Sequence, residues 1–351
     1  MTGPFTYIRG AGDVFLQGSS TWIRDPDNGY ADRWYFKDPM RGKGQPPAPS
    51  GLIDRPVIGG RIAGSNDANN PLVLQPGNYY AAGYDNQGNL VATGDPITVT
   101  GHIRFSSGGS GFGDYVVFGG IANHNAGTVV TFEPGRYILA GVRERSGTPN
   151  PLFDVQRNMT IQDLTQNVGR NDDAGEIFIF TDPNYPGLEV PVRVQQVAGQ
   201  LKHGISGFQV GNNADIFVNI HGLNRDSAVL PEALKDFAPV ILWQDQRNSV
   251  IKYTEDGYID TSCGNDASTG CSNTALSDDR SVEMFFKASP NLHIYGTAYQ
   301  PRGAFTSLVG GGGYDSPLQL IAGALHVHGN SNVRLQPINN PLLVKAVSLI
   351  E

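Results

Sequence analysis

The chain has 351 residues, a length that usually indicates two domains. Its composition argues against two ordinary globular domains, because it holds 45 glycines and 23 prolines, with only 39% hydrophobic and 17% charged residues. The glycine content is near double the usual share of about 7%. Long amphipathic helices need charged solvent faces and few backbone breakers, so helical bundles and coiled coils are excluded. No window of about 18 consecutive apolar residues occurs, so we expect no membrane segment in this chain.

The formal net charge is −8, from 25 basic and 33 acidic residues, and no block of Lys or Arg is present. Phosphate binding needs a basic face, so nucleic acid is not an expected partner. The N-terminus, Met1 to Thr6, lacks the basic and apolar regions of a secretory signal. The protein is therefore either cytoplasmic or a mature piece of an exported chain.

The two cysteines favour the second alternative. Cys263 and Cys271 are separated by seven residues that are all small or polar, and such a segment cannot pack for itself. A disulfide would staple it, whereas two thiols without a neighbouring Cys or His pair make a poor zinc site. The alternative is two free thiols. A loop disulfide indicates an oxidising compartment, so we expect an extracytoplasmic protein, at the cell surface or secreted, whose targeting segment is absent from this sequence.

Short runs rich in β-branched and aromatic residues recur along the chain, each closed by Gly, Asn, Asp or Pro. They cover residues 13–17, 97–100, 115–118, 128–132, 176–180, 215–220, 240–243, 283–286, 292–295 and 324–328. This pattern predicts an all-β protein. The best helix candidate is residues 229–237, with Pro231 at an allowed first-turn position.

One corner motif occurs twice. Leu74-Gln75-Pro76-Gly77-Asn78-Tyr79 returns 58 residues later as Phe132-Glu133-Pro134-Gly135-Arg136-Tyr137. Pro-Gly supplies a tight turn, while the apolar residue and the Tyr can point into one interior, which suits a chain that turns at the same corner of stacked turns.

Short strands, Gly or Asn corners and the lack of crossover helices together predict a right-handed parallel β-helix, a pectin-lyase-like solenoid. We expect an N-terminal cap or extension over residues 1–54 and a single β-helix domain of roughly ten turns over 55–345. Loop insertions are expected near 142–200 and 254–280. A β-sandwich is the alternative, because regularly spaced strands and turns give a similar sequence pattern.

The chain also resembles the β-helical C-terminal region of Tad-type (TadG-like) pilus-assembly proteins and related bacterial surface proteins. The similar blocks appear in the same order in both, between residues 55 and 335: residues 59–64, 74–79, 97–101, 132–141, 238–248, 292–301 and 318–331. The usual N-terminal membrane helix of that family is absent, and the two expected inserts are long. The resemblance implies a structural or adhesive role at a cell surface or pilus, without catalytic residues.

Some parallel β-helices cleave polysaccharides, so we considered a carbohydrate-active hydrolase or lyase as an alternative. The candidate residues are Asp172 and Asp173 as a carboxylate pair, His203, and Arg247 with Lys252. Their order is similar to the Asp, His-Gly and Arg-x-Lys turns that polygalacturonases use for general acid and base chemistry. Arg247 and Lys252 are five residues apart rather than two, and Asn171-Asp172-Asp173-Ala174-Gly175 also fits an ordinary turn.

Two kinds of metal site are considered. Asp256, Asp260, Asp278 and Asp279 could hold Ca²⁺ through their oxygens, but they lack a fixed metal-loop spacing, and a solvated acidic loop is the favoured interpretation. His326 and His328 share one strand face, yet no third zinc ligand follows them. His221 and His293 are isolated in sequence and are expected at corners. No cofactor is expected.

Aromatic residues cluster near the N-terminus. Trp22, Trp34 and Tyr35 stand among Arg and Asp residues and could form a sugar-binding platform. The favoured interpretation is a cap over the open end of the core, which a solenoid needs against edge-to-edge growth. The expected partners are other surface or pilus proteins, glycans, or further copies of the chain. An end-to-end filament subunit is a third functional alternative.

Overall fold

The computed structural model describes residues 14–17, 40, 43–123, 125–141, 151–155, 159–163, 174–197, 207–211, 216–245, 283–287, 292–308, 313–316, 318–328 and 332–335. Within these residues the protein is built mostly of strands in large parallel sheets, with few helices. All ten runs predicted as strands overlap a strand. The prediction of an all-β protein is therefore confirmed for this part of the chain.

The strands are short until late in the chain. In chain order they are β1 (Val14–Gln17), β2 (Asp54–Ile58), β3 (Arg61–Ala63), β4 (Leu72–Leu74), β5 (Gly77–Tyr84), β6 (Leu90–Ala92), β7 (Ile97–Thr100), β8 (His102–Phe105), β9 (Gly113–Phe118), β10 (Ile121–Ala122), β11 (Val129–Phe132), β12 (Gly135–Ala140), β13 (Phe153–Val155), β14 (Thr160–Asp163), β15 (Glu176–Thr181), β16 (Phe208–Val210), β17 (Phe217–His221), β18 (Val240–Gln244), β19 (Glu283–Lys287), β20 (Leu292–Leu308), β21 (Gly313–Ser316), β22 (Leu318–His328) and β23 (Asn332–Leu335).

The helical elements are small. They are a one-turn helix α1 (Val192–Gln195) and the 3₁₀ helices Gly108–Ser110 and Glu232–Phe237. The helix predicted over 229–237 is therefore shorter and tighter than expected, with Pro231 at its N-cap. A 3₁₀ helix places residues i and i+3 in line, and this one buries Leu234 and Phe237 on one side.

Most strands pair in parallel with the strand three places further along the chain, in three columns that we name sheets 1, 2 and 3. Sheet 1 stacks β3, β7, β10, β13, β16, β19, the last part of β20, the last part of β22, and β1. Sheet 2 stacks β4, β8, β11, β14, β17 and the start of β20. Sheet 3 stacks β2, β5, β9, β12, β15, β18, the middle of β20 and the start of β22.

The chain passes through the sheets in a fixed order, so that β7, β8 and β9 are followed above by β10, β11 and β12. The pair β5 and β6 is the one antiparallel strand pairing among the described residues. This arrangement differs from the antiparallel pairing of a β-sandwich. The range 142–200, predicted to hold a loop insertion, contains β13, β14, β15 and α1 among its described residues. The second predicted insertion, 254–280, lies outside the described residues.

The two faces of sheet 3 are both buried. Within β9, Tyr115 and Val117 point into the core between the sheets, while Val116 and Phe118 point outward into a second apolar cluster. The segments that cover this outer side contribute Met40, Ala48 and Leu52, then residues 185–197, then residues 223–237. Strands buried on both faces read as continuous apolar runs, as in β12 and β15.

Residues 43–52 of the N-terminal extension lie along this outer side of sheet 3, and the cap expected over residues 1–54 stays a prediction. The Gln45 amide donates to Asp245 Oδ1 at 3.0 Å, and the Tyr185 hydroxyl donates to the carbonyl of Pro46 at 2.5 Å. Arg136 donates to the carbonyl of Pro47. The described part of the extension therefore covers a side of the sheets. Further upstream, β1 adds to the last strand of sheet 1.

Stacked aromatic rings fill the core beside sheet 3. The rings of Tyr79, Tyr115, Tyr137 and Phe178 form one column, with successive centroids 6.1, 5.2 and 5.1 Å apart and interplanar angles of 26° or less. Offset stacking of this kind contributes about 0.5–1.5 kcal/mol per pair beyond the burial of area. Phe105 and Phe132 stack beside this column at 4.9 Å.

The tyrosines of the repeated motif close the corner that the motif makes. Gly77 and Gly135 each begin a strand of sheet 3, as the motif predicts. Two residues later the Tyr hydroxyl turns back and donates to a carbonyl at the corner, from Tyr79 to Gln75 and from Tyr137 to Glu133. Burial raises the pKa of Tyr79 to about 12, against opposing contributions from Arg55 and from this hydrogen bond.

We predict that Tyr137→Phe lowers the free energy of unfolding by about 1–3 kcal/mol, because the buried corner loses a hydrogen bond while the ring stack stays. Tyr84→Phe is the matched control, because Tyr84 is 67% exposed, and it should change stability by less than about 0.5 kcal/mol. Urea unfolding followed by circular dichroism measures both. Equal effects for the two variants would contradict the corner's role.

Candidate functional site

The residues that sequence reasoning selected for chemistry lie outside the described residues. They are Asp172, Asp173, His203, Arg247 and Lys252 for catalysis, Cys263 and Cys271 for the disulfide, Trp22, Trp34 and Tyr35 for sugar contact, and Asp256, Asp260, Asp278 and Asp279 for Ca²⁺. His326 and His328 lie within β22. These assignments stay predictions.

His221, which the sequence left isolated, lies instead against two buried carboxyl groups. Its Nδ1 contacts Asp163 Oδ2, and its backbone N–H donates to Glu176 Oε2 at 3.3 Å. The Asp163 side chain is fully buried and Glu176 is 0% exposed, whereas the His221 side chain is 36% exposed. The ring of Tyr295 stacks on the imidazole with centroids 4.2 Å apart and parallel planes. We name these four residues the acidic corner.

The acidic corner occupies the place that the repeated motif occupies one turn earlier. Asp163 pairs with Phe132, the apolar residue of the motif, and Glu176 pairs with Gly135. Phe178 then takes the place of Tyr137. In this turn the corner is therefore built from carboxyl groups and a His of the next turn, rather than from a Pro-Gly turn closed by a Tyr hydroxyl.

Two glycines bring the acidic corner together. Gly175 directly precedes Glu176 and has a positive φ of 68°, and Gly222 directly follows His221. A Cβ on Gly175 would stand 2.1 Å from the carbonyl oxygen of Gly222, so any larger residue would force the two turns apart. This close approach sets Glu176 beside the backbone of His221.

The chemistry of the acidic corner follows from burial. Burying a carboxyl group away from water is costly unless it is hydrogen-bonded, and here the His221 ring and backbone supply contacts to both acids. A buried carboxyl group that contacts Nδ1 also fixes the orientation of the imidazole ring. General base catalysis uses the same arrangement of a carboxyl group and an imidazole. The same contacts equally serve to hold a corner of the core. No sequence motif marks the site, because it is assembled from β14, β15 and β17.

The outer face of sheet 2 is the second feature with chemical groups. Its strands alternate between buried and half-exposed residues, as in β8, β14 and β17. By strand register the outward side chains form two rows. Next to the exposed Val73 of β4, the central row holds Arg104, Thr131, Gln162, Asn219 and His293, and the flanking row holds His102, Val129, Thr160 and Phe217.

Metal-binding groups and membrane-spanning helices are two further features that bear on function. Within the described ranges, no group of three or more His, Cys, Asp or Glu side chains is arranged to hold a metal ion. The helices of that same part of the chain include none with the length and apolarity needed to span a bilayer.

Comparison with known proteins found no matching family model, no matching curated protein and no matching solved structure. The likeness to TadG-like surface proteins therefore stays a prediction from the sequence motifs alone.

We predict that His221→Ala lowers the free energy of unfolding by about 1–2 kcal/mol, since it removes the ring contact to a buried carboxyl group. His293→Ala, on the outer face of sheet 2, should change it by less than about 0.5 kcal/mol. Chemical denaturation at neutral pH measures the pair. If His221→Ala lowered the free energy of unfolding less than His293→Ala does, the acidic corner would not stabilise the fold.

Proposed function

We propose that the chain is a right-handed parallel β-helix that serves as a structural or adhesive component at a bacterial cell surface, associated with a pilus. The observation that supports this most is the parallel pairing of each strand with the strand three places on, through β7 to β18. Three strands a turn, each stacked in parallel on the strand of the turn before, are what a β-helix requires, and parallel crossovers are right-handed in about 98% of cases.

Rigidity supports a structural role. The interior is a continuous stack of rings, and sheet 3 is packed on both faces, so a turn cannot shift without breaking stacking and strand pairing together. The prediction of a disulfide between Cys263 and Cys271 supports an oxidising location. The sequence resemblance supports association with a pilus.

The proposal is tested by labelling intact cells of the source bacterium with antibody against the purified chain. We expect this antibody to label the cell surface. An antibody against a cytoplasmic enzyme is the control, and it should not label the intact cells. We also expect that Cys263 and Cys271 of the protein taken from those cells react with a thiol reagent only after reduction. A chain found solely in the cytoplasmic fraction, with both thiols free, would overturn the proposal.

The filament alternative is supported by apolar residues at the first turn. Ile53, Ile58, Leu72 and Val73 are 66%, 51%, 39% and 37% exposed, in or beside strands β2 and β4, which open the stack. Exposed strand edges with apolar side chains favour association with further strands. The same purified protein, viewed by negative-stain electron microscopy over a concentration series, distinguishes fibres from discrete monomers.

A carbohydrate-active enzyme is the second candidate, and the acidic corner is the observation that favours it. Buried Asp163 beside a partly exposed His221 is an arrangement capable of general acid and base catalysis. If this candidate holds, the chain cleaves pectate or alginate, and Asp163→Asn and His221→Ala each lower turnover at least about 100-fold. Asp172→Asn and Asp173→Asn test the sequence-based pair in the same assay. Turnover that survives in all four variants, or no turnover by the parent chain, contradicts the enzyme.

A further inference from the structure

The outer face of sheet 2 differs from the outer face of sheet 3. The outer side of sheet 3 is covered by the N-terminal segment and by residues 185–197 and 223–237. Most outward residues of sheet 2 are half-exposed, while Thr131 is buried, and Phe217 and Val129 belong to neither apolar cluster. Sheet 2 therefore presents a regular surface to the solvent.

The central row is a straight line of hydrogen-bonding side chains. Register places Gln162 beside Asn219 and Asn219 beside His293, one strand spacing apart. At about 4.8 Å per strand the five positions of the row span roughly 19 Å. The Gln162 amide donates to Thr131 Oγ1 at 3.2 Å, which orients it along the row. Amide and imidazole groups each offer a donor and an acceptor, as sugar hydroxyls also do.

The flanking row adds an aromatic surface. Phe217 lies on the outer side of β17, with its ring centroid 6.0 Å from that of His293. At the end of the face, the stacked rings of His221 and Tyr295 are both partly exposed. Aromatic rings beside hydrogen-bonding groups match a pyranose ring, which has an apolar C–H face and a polar rim.

The charges of the two rows favour an uncharged ligand. Neither row contains a carboxylate, and Arg104 is the one permanent cation in them, where it forms an ion pair with Glu133 at 3.4 Å. The whole chain has a formal net charge of −8. A polyanion would meet a single, already paired guanidinium on a negatively charged protein, whereas a neutral polymer loses no charge solvation on binding.

We propose that the outer face of sheet 2 binds an extended neutral polysaccharide along the central row, with Gln162 and Asn219 as hydrogen-bonding residues and Phe217 as the stacking residue. This inference rests on the proposed role as an adhesive surface component and names its ligand class. Its site is distinct from the residues that sequence reasoning selected for sugar contact.

Affinity gel electrophoresis of the full chain tests the inference, with hydroxyethylcellulose, dextran, laminarin and galactomannan as neutral polymers and polygalacturonate and alginate as anionic ones. We expect at least one neutral polymer to retard the chain. Asn219→Ala and Phe217→Ala should each weaken that affinity about tenfold. Gln209→Ala is the matched control, because Gln209 is a half-exposed amide in the same turn on sheet 1, and it should leave affinity unchanged.

Thermal melts of the same variants separate binding from folding, and Gln162→Ala provides a second outward change should Phe217→Ala unfold the chain. Retardation by no neutral polymer, stronger retardation by the anionic polymers, or equal effects of Asn219→Ala and Gln209→Ala would overturn the inference. None of these results bears on surface labelling of cells. A cytoplasmic location would overturn the proposed function and leave the measured affinity standing.

Discussion

A buried tyrosine hydroxyl is costly without a hydrogen-bond partner, and three tyrosines of the core between the sheets find one where the chain turns into sheet 3. Tyr79 and Tyr137 reach back to carbonyls of their own corners, and Tyr115 donates to Ser106 at 2.6 Å. Burial raises the pKa of Tyr115 as well. The hydrogen bond fixes the hydroxyl and the stacking fixes the ring, so each tyrosine fixes the position of its corner along the stack of strands. The strands on either side of the corner therefore pair in register.

The next turn shows what happens when that corner is built differently. Asp163 and Glu176 take the places of Phe132 and Gly135, and His221 comes from the turn above to meet them. The column of rings continues through Phe178, which has no hydroxyl to satisfy. The fold thus tolerates carboxyl groups at a core corner because one His supplies contacts to both of them.

Sheets 2 and 3 show how covering segments decide where function can reside. Arg136, the variable residue of the second motif, pairs with Asp114 at 2.8 Å and also holds the N-terminal segment across sheet 3. Asn78, in the first motif, binds Asp54 at 3.2 Å. In both motifs the variable residue thus binds the carboxylate of its register partner on the preceding strand of sheet 3. None of the described segments covers sheet 2, whose outward rows are mostly half-exposed.

The sequence by itself determined the all-β class, the positions of ten strands and the Pro-Gly corners, because β-branched runs, glycines and prolines act through local backbone preferences. It did not reveal the acidic corner or the rows of sheet 2, since Asp163 and His221 are 58 residues apart and Gln162 and Asn219 are 57 apart. Such contacts depend on strand register. Only the tertiary structure decided them, together with the use of the N-terminal segment as a cover for sheet 3, because stacking turns brings distant residues to one strand spacing.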